Sequence, residues 1–179
     1  VLAKQDIINL ALVKVGNQPR TEVTESYLTL AYNAGKAYLL SKHCWRFAKV
    51  IKDLSLNSSV TVKGWNYVYR LPNNVGCIFD VVPHAAYDIF SNNLVCNINP
   101  LMLEYSENDI ADVFPNDFGL LLASWIAKEI AMVVKNGIDS GLFNLLSAQY
   151  QEMLIDSMGA DSAMIPSLTF RSNRYIDVR

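Results

Sequence analysis

Two histidines, His43 and His84, and a run of carboxylates are the side chains of this chain best suited to chemistry. Between Arg70 and Lys128 there is no lysine or arginine, and that stretch holds Asp80, Asp88, Glu104, Glu107, Asp109, Asp112 and Asp117. A pair of carboxylates can hydrolyse a glycoside when a pocket raises the pKa of one of them. Glu104, Glu107, Asp109 and Asp112 are the candidates for such work. Glu107-Asn108-Asp109, however, reads as an exposed loop, and nothing around it in sequence marks a pocket. His43 stands near the end of a cationic helical stretch, where an imidazole completes the last turn. His84 follows Pro83 in a turn. There is no dinucleotide fingerprint, no Walker phosphate loop, no HExxH and no GxSxG. A solvated acidic loop is therefore the favoured reading of these carboxylates. A small carboxylate hydrolase is the weaker alternative.

The second constellation is aromatic. GWNYVYRLP, residues 64–72, sets Trp65, Tyr67 and Tyr69 on alternate positions. Such a row stacks on nucleic-acid bases when a cationic groove lies beside it. Only Lys63 and Arg70 are near, and the strands that follow are acidic. The same alternation is what a half-buried strand uses to pack, and packing is the favoured reading. A nucleic-acid or protein-binding module of some assembly stays open as an alternative function.

Charge is segregated along the chain. Lys36, Lys42, Arg46, Lys49 and Lys52 come with no acid among them, opposite in sign to the stretch after Arg70. Two solvated faces that pair within one fold are the plainer reading. The other is a subunit with one acidic and one basic side, suited to head-to-side stacking in a closed ring. The net charge of −2 gives no overall attraction to nucleic acid or anionic lipid.

The chain's 179 residues amount to about one domain, and 51% of them are hydrophobic. Cys44, Cys77 and Cys96 are odd in number and form no CxxC, so reduced thiols in a reducing compartment are expected rather than disulfides or structural zinc. No signal-peptide pattern opens the sequence. The longest apolar stretch, 120–134, is shorter than the ~20 residues of a membrane span, and no membrane partner is expected.

Periodicity predicts helices over 3–15, 24–49, 115–136 and 139–158. Gly16 suits the position after the first. Thr24 and Glu25 suit the start of the second, and Pro115 and Asp117 the start of the third. On the second helix Tyr27, Leu30, Ala31, Ala34 and Tyr38 form one stripe, and Leu28, Tyr32, Gly35 and Leu39 another. The third is apolar almost all round, as in the middle of a bundle or between subunits. Asp139 or Ser140 caps the fourth, with Leu142, Leu146, Gln149, Tyr150 and Met153 facing inward. Short strands fill 60–106: Val60 with Val62, 65–69, 78–82, a hairpin of 87–90 and 94–98 about Ser91-Asn92-Asn93, and 102–105. The expected fold is α+β, mainly α: about four bundled helices, a small antiparallel sheet inserted in the middle, and an extended C-terminal arm. Residues 1–160 form one domain. The arm, 161–179, is too apolar for an ordinary disordered tail.

Two segments carry a family resemblance. One is His43-Cys44-Trp45-Arg46-Phe47-Ala48. The other is Trp65-Asn66-Tyr67-Val68-Tyr69-Arg70-Leu71-Pro72, about twenty residues later. Together they resemble the tail adaptors of short-tailed bacteriophages, also called head-to-tail connectors or tail tubular protein A. INLALVKVGNQP looks like that family's first helix, and PNDFGLLLASWIAKEIA like its late apolar helix. Proline is common in the family where Cys44 stands. The resemblance implies a structural virion protein, not an enzyme and without cofactor, assembled in the host cytoplasm into a dodecameric ring under the portal. The ring extends the channel for double-stranded DNA, without sequence-specific contact, and offers a platform to the next tail or nozzle protein. It implies that the arm grips the portal, through Arg171, Arg174 and Arg179 on carboxylates and Phe170, Tyr175 and Ile176 in apolar grooves. Glu104, Glu107, Asp109 and Asp112 would face the channel or a neighbouring subunit. Trp45, Phe47, Trp65, Tyr67 and Tyr69 would be structural, bracing the sheet against the bundle.

Overall fold

The computed structural model describes residues 1–16, 25–134 and 140–163. It is a mixed α+β fold with more β-structure than a small inserted sheet. Strand β1 (Leu2–Ala3) leads into helix α1 (Lys4–Lys14), followed by α2 (Glu25–Lys42). Strands β2 (Lys49–Asp53), β3 (Ser55–Leu56), β4 (Tyr67–Arg70), β5 (Val75–Val82), β6 (Tyr87–Phe90), β7 (Asn93–Cys96), β8 (Met102–Glu107) and β9 (Val113–Phe114) come next. Helices α3 (Asn116–Val134) and α4 (Ser140–Ala163) close the described part.

The expected strand at Val60 and Val62 is a turn instead. Val60 N–H donates back to Asn57 O at 3.4 Å, Trp65 N–H to Val62 O at 3.2 Å, and Gly64 takes a positive φ of 92°. The β-region starts earlier, because residues after Ala48 pair with β8 rather than continue α2. The antiparallel order β2-β8-β5 makes one sheet and β3-β4-β7-β6 another, with β1-β9 as a separate pair. The hairpin of β6 and β7 forms as read, with Ser91 at φ 54° in its turn.

Apolar side chains divide between two cores. In the first, α3 lies among α1, α2 and α4 and buries Phe118, Leu121, Leu122, Ile126 and Ile130. Its all-round apolar surface is thus largely covered within one chain. In the second, Tyr69, Leu94 and Cys96 of the four-stranded sheet face Val81, Leu103 and Tyr105 of the three-stranded sheet. Alternation along each strand sends these side chains to the shared inner face, as in a small sandwich.

The two stripes of α2 part company. Tyr32, Gly35 and Leu39 are buried, whereas Leu30 is 64% and Tyr38 40% exposed. Gly35 lets α2 approach α3 closely, since a Cβ there would stand 2.5 Å from the Trp125 ring. Helix α4 runs five residues past its expected end at Met158. Leu146, Tyr150, Ser157 and Asp161 continue one buried face through Gly159, so Asp161 belongs to the helix and not to the arm. Gln149, expected inward, is exposed.

Candidate functional site

The segment after α2 is where the fold concentrates specific contacts. Helix α2 was expected to reach Lys49 but stops at Lys42, and Arg46–Ala48 form a single 3-10 turn. Three interactions fix that break. The Trp45 indole N–H donates to Leu39 O at 2.8 Å, satisfying a carbonyl that the helix end leaves open. The Asp161 carboxylate accepts the Arg46 backbone N–H at 3.1 Å and lies 3.0 Å from His43 Nε2. Cys44 is joined to Cys77 on β5, with Cα atoms 5.4 Å apart.

That disulfide corrects the expectation of three reduced thiols. Spacing alone does not reveal it, because 33 residues separate the partners and the sheet brings them together. Cys96 is free and buried.

Trp45 is only 2% exposed and meets Phe118 edge-on at 5.1 Å between ring centroids. Phe47 meets Phe118 at 4.9 Å and Phe114 at 6.2 Å. Such edge-to-face pairs add stabilisation beyond area burial. These rings belong to the helical core, whereas Tyr69 and Tyr67 pack in the sandwich core. The expected brace of Trp65, Tyr67 and Tyr69 against Trp45 and Phe47 is therefore not what the fold uses. Trp65 is half-buried and joins neither core. Beside the 43–48 segment, Trp45, Phe47, Pro115, Asp117, Phe118 and Asp161 line a cavity of about 300 Å³.

The charged stretches answer each other inside the chain. Lys49 pairs with Glu104 and Lys52 with Glu107. Lys36 Nζ lies 2.8 Å from Asp112 Oδ1. The Tyr32 hydroxyl donates to the same Asp112 oxygen at 3.0 Å. Asp109 is exposed, and no hydrogen bond or ion pair to it is found among the described residues.

The hydrogen bond from Lys52 is the main reason the Glu107 carboxyl sits below its ordinary range, with Asn74 adding to it. For Asp112 burial pushes upward, but the hydrogen bonds from Lys36 and Tyr32 outweigh it and leave the carboxyl low. Asp80 is likewise low, burial being outweighed by the hydrogen bonds from His84 and the Val81 N–H. A general acid needs the opposite shift. The shift at these three positions runs the other way.

The structure thus gathers His43, Cys44, Trp45, Arg46 and Phe47 with Cys77, Phe114, Phe118 and Asp161, four residues that sequence reasoning did not connect to them. Asp161 had a legible signal, since it extends the buried helical face of Tyr150 and Ser157. Phe170, Arg171, Arg174, Tyr175, Ile176 and Arg179, expected to bind the portal, lie outside the described residues. No helix among the described residues is long and apolar enough to cross a membrane. No protein-family model matches the chain, and no curated protein matches it either.

Proposed function

We propose that this chain is a structural virion protein, the ring-forming head-to-tail adaptor of a short-tailed bacteriophage, and not an enzyme. It works by shape. Identical wedges close a dodecameric ring under the portal, continue the DNA channel, and present a platform for the next tail or nozzle protein.

The observation that carries the reading is the paired resemblance of 43–48 and 65–72 to that family. Segment 43–48 falls at the joint between the two cores and residues 67–70 of the other form β4 of the sandwich, which suits a framework role, whereas Trp65 packs in neither core. Exposed apolar side chains on three helices add support. Val13 on α1, Leu30 on α2, and Leu145 and Ile155 on α4 all stand in solvent in the single chain, Ile155 at 70% exposure. Packing against neighbouring copies would remove such surface from water.

In this reading the arm after Ala163 docks on the portal, with Arg171, Arg174 and Arg179 meeting carboxylates and Phe170, Tyr175 and Ile176 filling apolar grooves. A lumen carrying carboxylates would let DNA slide, because phosphate is repelled there. Asp109 is the best placed of the four acids for that role. Glu104, Glu107 and Asp112 already answer lysines of their own chain.

The test is assembly. Light scattering and electron microscopy of the full chain mixed with purified portal should show one dodecameric ring docked per portal. A chain ending at Ala163 should fold but fail to dock. A full chain that stays single in the presence of portal, or a truncated one that docks normally, refutes the proposal.

A further inference from the structure

Trp65 is the one member of the aromatic row that neither core uses. It lines a concavity of about 230 Å³ between the 57–66 loop and β4. That is below the roughly 300–1,000 Å³ of a drug-sized ligand site, and it suits a single ring. Val68 and Tyr67 are also in the wall, and no charged residue is.

The wall is built before any ligand arrives. Asn57 N–H donates to Val68 O at 2.7 Å, and Asn57 Nδ2 to Asn93 Oδ1 at 2.9 Å. Asn66 N–H donates to Asn97 Oδ1 at 2.9 Å. These bonds hold the loop to β4 and β7. By contrast, the side chains of Ser58, Thr61 and Asn66 and the Trp65 indole N–H make no hydrogen bond among the described residues. A half-buried indole thus stands beside two hydroxyls and an amide that still have donors and acceptors to give.

We propose that this concavity binds one uncharged pyranose unit of a glycan. The C–H face of a pyranose is apolar and packs on an aromatic ring, and its equatorial hydroxyls need paired donors and acceptors around the rim. Trp65 supplies the first, and Asn66, Thr61 and Ser58 the second. A lining without charge favours a neutral ligand, because an anion seated in it would lose hydration with no charged group in the wall to replace it. This site is independent of the ring reading and stands whether or not the chain assembles under a portal.

The experiment is an NMR titration of the full chain with the methyl glycosides of glucose, galactose and N-acetylglucosamine. At least one should give saturable shifts confined to the amides of residues 56–68. Trp65→Ala should weaken that binding at least tenfold, and Asn66→Ala several-fold. If Trp65→Ala fails to fold, Asn66→Ala and Thr61→Val together carry the test. Three outcomes overturn the proposal. No glycoside gives saturable shifts; the shifts persist undiminished in the variants; or uridine or adenosine monophosphate moves the same amides at lower concentration than any glycoside. The last would make the concavity a base-stacking site served by the neighbouring Lys63.

Discussion

Removing the Cys44–Cys77 link should destabilise the chain by a calculable amount. The bridge spans 33 residues and ties the end of α2 to β5, across the joint between the helical and sandwich cores. In the chain-entropy account, closing a loop of that length removes about 12.5 cal/mol/K from the unfolded ensemble, or roughly 3.7 kcal/mol at 25 °C. For a chain of this size that corresponds to a fall in Tm of roughly 7–15 °C. Urea melts with and without reductant should show that loss, and Cys44→Ser and Cys77→Ser should each show it without responding to reductant. Cys96→Ser is the control. It keeps the bridge, so it should keep the full response. Equal midpoints for oxidised and reduced wild-type chain, or a non-reducing peptide map with free Cys44 and Cys77, would refute the reasoning.

Trp45→Ala deletes a buried ring and strands the Leu39 carbonyl, so a loss of about 3–5 kcal/mol is expected in chemical denaturation; a loss under ~1 kcal/mol would contradict the packing. Tyr69→Ala should lose a similar amount and Trp65→Ala clearly less, because Tyr69 is fully buried and Trp65 belongs to neither core. Gly35→Ala improves helix propensity by about 1 kcal/mol, but its Cβ would meet the Trp125 ring at 2.5 Å and Leu122 at 2.8 Å. Net destabilisation of about 1–2 kcal/mol is expected from overpacking, and a more stable variant would show that α2 and α3 can move apart. Glu107 and Asp112 titrate below their ordinary values in the folded chain. Their stabilisation is complete above the unfolded carboxyl pKa of about 4 and is lost as pH falls through the folded values. Melting temperature should therefore drop more steeply below about pH 4 in wild type than in a Glu107→Gln, Asp112→Asn double variant; equal slopes would assign the acid loss elsewhere.

What the sequence settled was periodicity and punctuation. The four helices, the hairpin read over 87–90 and 94–98 and the strand read over 65–69, which forms at Tyr67–Arg70, were legible because apolar spacing and turn residues act over a few neighbours. The pairing of the lysine run with the later acids was legible as the plainer of two readings, since opposite charges segregated along a chain of small net charge tend to meet in the fold. Local signals failed at the ends of elements. Nothing between Lys42 and Lys49 breaks helical spacing, yet α2 ends there. The indole of Trp45 turns back onto Leu39, and the carboxylate of Asp161 and the sulfur of Cys77 come from distant positions to hold a different backbone.

Tertiary structure also decided which core each aromatic entered. Trp45, Phe47 and the 65–69 row carry the same chemistry in sequence, and composition does not say that one set packs with α3 and the other between two sheets. Only the packing of one sheet on the other does, because the face of β8 that carries Leu103 and Tyr105 meets Tyr69, while Phe118 packs among the helices. Trp65 lies outside both cores, directly after the turn in which Gly64 takes a positive φ of 92°. Side-chain type fixes what a residue is able to do. Which partner it meets depends on long-range pairing that no short window of sequence contains.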